Sequence, residues 1–285
     1  LTGSNGQIGW ELSRALAPLG EVVAYDRSGM DLTAPDHIVA ALRATKPDVV
    51  VNAAAYTAVD QAEREPEVAR AVNATAVGVL AEEAKRTGAP LIHYSTDYVF
   101  DGTKEAPYVE EDTPNPLNEY GRSKLAGEQA IRQIDGPHLI VRTSWVYAAR
   151  GRNFLLTMIR LLRERSEVRV VSDQIGAPTS AQAIAAATAD ILEKHGAAAL
   201  GERRGVYHVT ASGSTSWHEF AAAIARLERS AARVVAIPSE AYPTPARRPR
   251  NSRLSNEKAL RQFGVVLPQW EAGLEACYAA LGKAG

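Results

Sequence analysis

Tyr120 and Lys124 stand four positions apart, and a helix beginning near Asn118 would project both from one face. Thr96 precedes the tyrosine at the end of an apolar run, Pro90 to Ser95. A tyrosine, a lysine and a hydroxyl held together suit the reduction of a carbonyl. Adding a hydride to a ketone leaves an alkoxide that needs a proton. A free phenol, with a pKa of about 10, holds its proton too tightly to cycle near neutral pH. Bringing it to about 7 takes roughly 4 kcal/mol of differential stabilisation, which the Lys124 charge, a nicotinamide cation and the Thr96 hydroxyl could share.

The chain opens on Thr2-Gly3-Ser4-Asn5-Gly6-Gln7-Ile8-Gly9. A glycine turn between a strand and a helix lets backbone N–H groups approach a pyrophosphate, and the helix N-terminus adds about half a positive charge. Gly3, Gly6 and Gly9 fit that role, in a G-x-x-G-x-x-G spacing one residue longer than G-x-G-x-x-G. Asp26 closes the next apolar segment, where a carboxylate can accept from adenosine ribose hydroxyls. It would repel a 2′-phosphate, whereas Arg27 could pair with one, so NADPH or NADH both fit. Asp31 and Leu32 are placed to meet adenine, with a helix N-cap an equal role for Asp31. Asn52-Ala53-Ala54-Ala55-Tyr56-Thr57 ends the third strand with small residues against which a cofactor can pack.

Elements that would position these groups follow a regular order. Glu21 to Asp26, Asp48 to Asn52 and Pro90 to Ser95 read as buried parallel strands. Helical patterns run over Gln7 to Leu19, Asp36 to Ala44 and Glu65 to Arg86, the last stopping at Gly88. The alternation predicts an α/β fold, a Rossmann-type doubly wound parallel sheet with ligands at its carboxyl edge, followed by a smaller C-terminal substrate-binding α/β domain. The dinucleotide-binding domain spans 1–147, with a contribution from about 180–205, and 148–285 is mainly substrate-binding. His138 to Thr143 gives one more strand of the first domain. A helix near Asn153 to Arg165, a strand at Tyr207 to Thr210, a helix near Trp217 to Arg229 and a proline-rich stretch from Pro238 to Pro249 belong to the second. The chain starts at Leu1-Thr2, where a buried strand should already be ending, which predicts further apolar residues upstream.

In 285 residues, 46% hydrophobic and 23% charged, 32 basic residues meet 33 acidic ones for a net charge of −1. That is a globular composition without the field that draws a protein to nucleic acid or anionic lipid. No stretch has the length and apolarity of a membrane span, and the run from Ala181 to Ile191 contains Gln182 and Asp190. With Cys277 the lone cysteine, no internal disulfide can form, and a reducing, cytoplasmic location is expected. The Asn73-Ala74-Thr75 sequon reads as coincidence. The six histidines show no metal-ligand spacing, and there is no G-x-S-x-G elbow.

Longer tracts narrow the reading: Gly6 to Leu12, Val51 to Asp60, Ser95 to Phe100, Arg142-Thr-Ser-Trp-Val-Tyr147, Asp173-Gln-Ile-Gly-Ala-Pro-Thr179 and Arg248 to Ser252. Together they resemble the extended short-chain dehydrogenase/reductases and, within them, the dTDP-4-dehydrorhamnose reductases of bacterial rhamnose synthesis. The resemblance implies reduction of a dTDP-4-keto-sugar in dTDP-rhamnose biosynthesis. It makes Tyr120 the proton donor, Lys124 its partner and ribose ligand, and Thr96 the tuner of the phenol. Thr96, Asp97 and Trp145 would contact the sugar nucleotide, and Arg248 its phosphate. The dinucleotide would meet Gly6, Gln7 and Ile8, then Asp26, Asp31 and Leu32, then Ala55, Tyr56 and Thr57. The resemblance also implies a homodimer and, in some members, a magnesium ion (Mg2+) near the subunit contact. Glu11 could be one ligand, but Gln182 stands where a second carboxylate is wanted, so no metal site is assigned. A related nucleotide-sugar reductase or epimerase is the alternative, as is a catalytically silent regulatory subunit on the same fold; Thr96, Tyr120 and Lys124 argue against silence.

Overall fold

The computed structural model describes residues 1–282. Its first half runs α1 (Gln7–Leu16), α2 (Pro35–Thr45), β1 (Val50–Asn52), α3 (Val59–Ala62), α4 (Pro66–Arg70), α5 (Ala76–Thr87), β2 (Leu91–Thr96), α6 (Glu119–Ile134) and β3 (His138–Thr143). Side chains alternate between the two faces of a strand. Val51, Ile92, Leu139 and Val141 accordingly face a core with Leu12 and Leu16 of α1. Val50, Leu91 and Ile140 face a second core with Ile38, Val77, Leu80 and Ile131 of α2, α5 and α6. Both faces of the parallel sheet are covered, which is why its strands read as unbroken apolar runs.

Two expectations for this half need correction. The strand at Glu21 to Asp26 is seen as a single parallel bridge, Tyr25 to Thr2. Thr2 also bridges Asn52 on its other side. The chain therefore leaves Leu1-Thr2 first to one flank and then to the other, and the crevice at this reversal lies beside Gly3. The long helix from Glu65 to Arg86 is interrupted between α4 and α5 by a π-turn at Ala71–Thr75. Its stop at Gly88, in the left-handed conformation, is where the sequence puts it.

The second half contains β4 (Val146–Tyr147), α7 (Phe154–Glu164), β5 (Glu167–Val171), β6 (Ile175–Gly176), β7 (Thr179–Ser180), α8 (Ala181–Glu202), β8 (Gly205–His208), β9 (Thr215–Ser216), α9 (Trp217–Leu227), β10 (Arg233–Ile237), α10 (Glu257–Phe263) and α11 (Trp270–Leu281). Small ladders pair β5 with β10, β4 with β7 and β6 with β9. Leu155, Met158, Leu162, Phe220, Ile224, Trp270 and Leu274 form a third core. The strand expected at Tyr207 to Thr210 in the smaller domain is β8, and it pairs parallel to β3 as the last strand of the large sheet. Ile184 and Ile191 of α8 and Phe263 of α10 join the first core with α1, so the chain crosses back after α7 to complete the unit built on the large sheet. No helix among the described residues is long and apolar enough to cross a membrane.

Candidate active site

At the crevice, α1 starts without a side-chain cap at Gly6. Trp10 makes its first internal bond, to the Gly6 carbonyl, so the N–H groups of Gln7, Ile8 and Gly9 are left to an outside acceptor. Gly3 has φ of 69°, and a Cβ there would lie 2.7 Å from the Ala54 backbone. A Cβ on Gly9 would lie 2.1 Å from the Gly3 carbonyl oxygen. Turn, helix end and the small residues after β1 are thus packed backbone to backbone, a donor set and shape that fit a dinucleotide pyrophosphate. Gln7 accepts at Oε1 from Asn153 at the start of α7 (2.8 Å), joining the turn to the second half.

Asp26 sits at the carboxyl end of the neighbouring segment. One of its oxygens accepts from the Ser28 and Gly29 N–H groups and the Ser28 hydroxyl, and the other accepts from Asn5 at 2.9 Å. Those donors, the Ser28 hydroxyl first, hold the carboxyl below its usual pKa, so it is ionised and shaped for a ribose edge. Arg27 is exposed beside it. Asp31 is not a helix N-cap: Ala34 takes that position for α2, and Asp31 instead closes a turn by accepting from the Thr33 N–H and hydroxyl. The Leu32 side chain lies in the core with Ile38 and Leu42, leaving only its backbone to face a ligand. Beyond β1, Ala55 is half-buried and Thr57 exposed, while Tyr56 donates its hydroxyl to Glu65.

Sequence reasoning missed what anchors that loop. Asn73, in the π-turn and only 1% exposed, accepts from the Tyr56 N–H and donates to the Tyr56 carbonyl and to the Ser123 hydroxyl. The triplet whose sequon pattern reads as coincidence thus ties the loop after β1 to α6. Asn52 and His93 were missed as well; each is a polar residue inside an apolar parallel strand, and that contrast was visible.

The reactive residues converge at the end of β2. Thr96 caps the turn that follows by accepting from the Tyr98 N–H, and Asn118 caps α6 by accepting from the Gly121 N–H. Tyr120 packs edge-on to Tyr98 with ring centres 5.6 Å apart. Burial pushes its phenol up to about 12, the Thr96 hydroxyl draws it down, and the Asp97 carboxylate raises it. The expected fall toward neutrality is therefore not met in the protein by itself. Desolvation outweighs Thr96, and Lys124 turns its nitrogen away, to the Tyr94 carbonyl (2.6 Å) and His93 Nε2 (3.2 Å). Burial in turn brings Lys124 down to about 8, against the opposing pull of Glu128. Such a phenol stays protonated at neutral pH, as a proton donor must.

Asp97 is 2% exposed, and its Oδ2 has no hydrogen-bond partner. Burial pushes the carboxyl up from 3.8 to about 6. A raised folded-state pKa favours folding fully only below the unfolded value, and that benefit is lost as pH rises through about 6. Asp97→Asn should therefore gain stability relative to the parent between about pH 4 and 7, on the order of 2–3 kcal/mol. Urea unfolding at both pH values measures this; an equal difference at each would show that Asp97 is not so perturbed.

Around this centre, Trp145 adopts φ of 48°, and its indole stacks on Trp217 at 3.6 Å. Arg248, expected at a substrate phosphate, is paired here with Asp60 of α3 (2.8 Å) and also donates to the Ala246 carbonyl. Among the described residues, no group of three or more His, Cys, Asp or Glu side chains is placed to hold a metal ion. Glu11 on α1 is half-buried.

Residues 1–282 match the family model described as the RmlD substrate binding domain. A dTDP-4-dehydrorhamnose reductase of Burkholderia thailandensis is 52% identical over 97% of this chain and 96% of that protein. The chain belongs to the dTDP-4-dehydrorhamnose reductase family. The Escherichia coli K12 member is 48% identical, over 96% of this chain and 95% of its own length. The crystal structure of the Bacillus anthracis reductase in complex with NADP superposes with a TM-score of 0.91, at 37% identity, covering 98% of this chain and 97% of that one. As a member of this family the protein is an NAD(P)H-dependent oxidoreductase on a Rossmann-type sheet with a smaller C-terminal α/β domain.

Proposed function

We propose that the protein reduces the 4-keto group of dTDP-4-dehydro-β-L-rhamnose to give dTDP-β-L-rhamnose, with Tyr120 supplying the proton. The observation that carries this reading is the meeting of Thr96, Tyr120 and Lys124 at the end of β2, on the same sheet edge as the glycine turn. NADPH or NADH, held by the N–H groups of Gln7 to Gly9, by Asp26 and by the loop at Ala55 to Thr57, would supply hydride to the carbonyl carbon. Tyr120 passes its phenolic proton to the carbonyl oxygen. Thr96 steadies that oxygen and the emerging phenolate, and the Lys124 charge behind them favours the phenolate. The unpartnered Asp97 oxygen is free to accept from a sugar hydroxyl, and the Trp145 face gives the ring a flat apolar wall. Arg248 would exchange Asp60 for the substrate diphosphate, an exchange that its 22% exposure permits. A dTDP-sugar as small-molecule partner, a homodimer and a cytoplasmic location complete the reading.

Steady-state turnover of the 4-keto sugar nucleotide with each cofactor tests it. The expected result is stoichiometric oxidation of added NADPH or NADH, whereas an epimerase would consume none. Asp26→Asn keeps the acceptors that close the Ser28 turn and removes the charge. It should shift the kcat/KM ratio toward NADPH by about tenfold, or about 1.4 kcal/mol. A ratio left unchanged would show that Asp26 does not read the ribose 2′ position.

A further inference from the structure

A file of four buried polar side chains crosses the sheet behind the reactive pair. The Thr2 hydroxyl meets Asn52 Oδ1 at 2.6 Å, Asn52 Nδ2 meets His93 Nδ1 at 2.9 Å, and His93 Nε2 meets Lys124 Nζ at 3.2 Å. Their exposures are 3%, 0%, 0% and 1%. Val51 and Ile92, next to them on β1 and β2, belong to an apolar core. Polar groups this deep must be matched donor to acceptor, because water cannot repair a mismatch.

The matching fixes the imidazole. The Thr2 oxygen already accepts from the Ala54 N–H (3.4 Å), which leaves its hydroxyl to donate to Asn52 Oδ1 and turns the amide nitrogen toward His93. That nitrogen can only donate, so His93 Nδ1 accepts and the ring proton sits on Nε2, aimed at Lys124. An N–H facing an ammonium has no acceptor; facing an amine, it has a lone pair. The bond from Nζ to the Tyr94 carbonyl is available to either form and so does not decide between them. Burial and the nearby Lys124 hold the imidazole well below its usual pKa, so it remains neutral.

Other charges nearby do not override this. Glu128 on α6 favours the ammonium, but its carboxylate is already engaged by Arg142 of β3, Arg132 of α6 and the Ser95 hydroxyl of β2. The π-turn contributes neutral Asn73, α5 contributes Val77 and Leu80, and Asp97 acts on Tyr120.

We propose that His93, presented as its Nε2–H tautomer by Asn52 and Thr2, is the positioning residue that sets the proton affinity of Lys124, making it a group that exchanges protons rather than a fixed ammonium. The inference rests on the reading of Lys124 as the charged partner of Tyr120.

The test follows Lys124 by NMR of protein carrying 13Cε-lysine, together with the pH profile of kcat/KM. His93→Gln places an amide oxygen where it can accept from the ammonium. The Lys124 titration and the alkaline limb of the profile should then both move upward by about one pH unit or more. Thr2→Val, close in shape, frees the Asn52 amide to turn over and should move both in the same direction by a smaller amount. Should His93→Gln fail to fold, Thr2→Val decides alone. A uniform loss of turnover with both midpoints unmoved would overturn the proposal and leave His93 a packing residue. The NMR titration needs no substrate, so if the parent protein fails to turn over the keto sugar, the functional reading falls while the His93 assignment is still judged.

Discussion

Tyr120→Phe should lower turnover by about a thousandfold or more while dinucleotide affinity stays within a few fold. The variant removes one oxygen. It leaves the glycine turn, Asp26 and the Tyr56 loop untouched, and these lie on other elements. What it takes away is a hydroxyl placed both near Thr96 and at the head of α6. A positioned proton donor is worth about 10²–10⁴ in rate, and the site offers no nearby substitute, because Lys124 is turned into the sheet. Single-turnover kinetics with a separate measurement of NADPH binding would read the two effects independently. Turnover that survives the substitution would end the assignment of Tyr120 as donor.

The second large effect is structural in origin. Arg142 and Glu128 are 1% and 0% exposed and form a two-pronged pair, at 2.8 and 2.6 Å. Glu128 lies one helical turn beyond Lys124, so the pair fixes the face of α6 that carries the reactive residues to β3. Removing one member of a buried pair strands the other charge, which costs about 3–5 kcal/mol. Arg142→Ala should lose stability on that scale in urea unfolding. Arg142→Met combined with Glu128→Leu leaves no stranded charge and should recover most of it. A loss below about 1 kcal/mol in the single variant would show that Arg132 and the Ser95 hydroxyl, which also hold Glu128, suffice for its charge.

Much of the sheet was legible because parallel strands buried on both faces leave continuous apolar runs. The span His138 to Thr143 falls where the sequence puts it. Strand membership was less legible. Tyr207 to Thr210 looked like part of the later domain because it follows α8 in the chain, yet it pairs with β3, and only three-dimensional packing carries that information. Thr96 and Tyr120 announced themselves by type and spacing. His93 and Asn52 did not, because a lone polar residue in a strand more often satisfies a neighbour than reacts. Arg248 was expected at a substrate phosphate, but its present partner, Asp60, lies 188 positions away, beyond any local pattern.

The late return of the chain bears on how the protein is made. β8 is encoded after β4, α7 and β5 to β7, so on the ribosome the large sheet has an open edge at β3 until residues 205–208 emerge. That edge offers unpaired backbone groups beside Leu139, Ile140 and Val141, an invitation to pair with another nascent chain. Vectorial synthesis therefore cannot deliver the large sheet as a finished unit, and a chain stopped after α7 would carry a sticky flank instead of a closed edge.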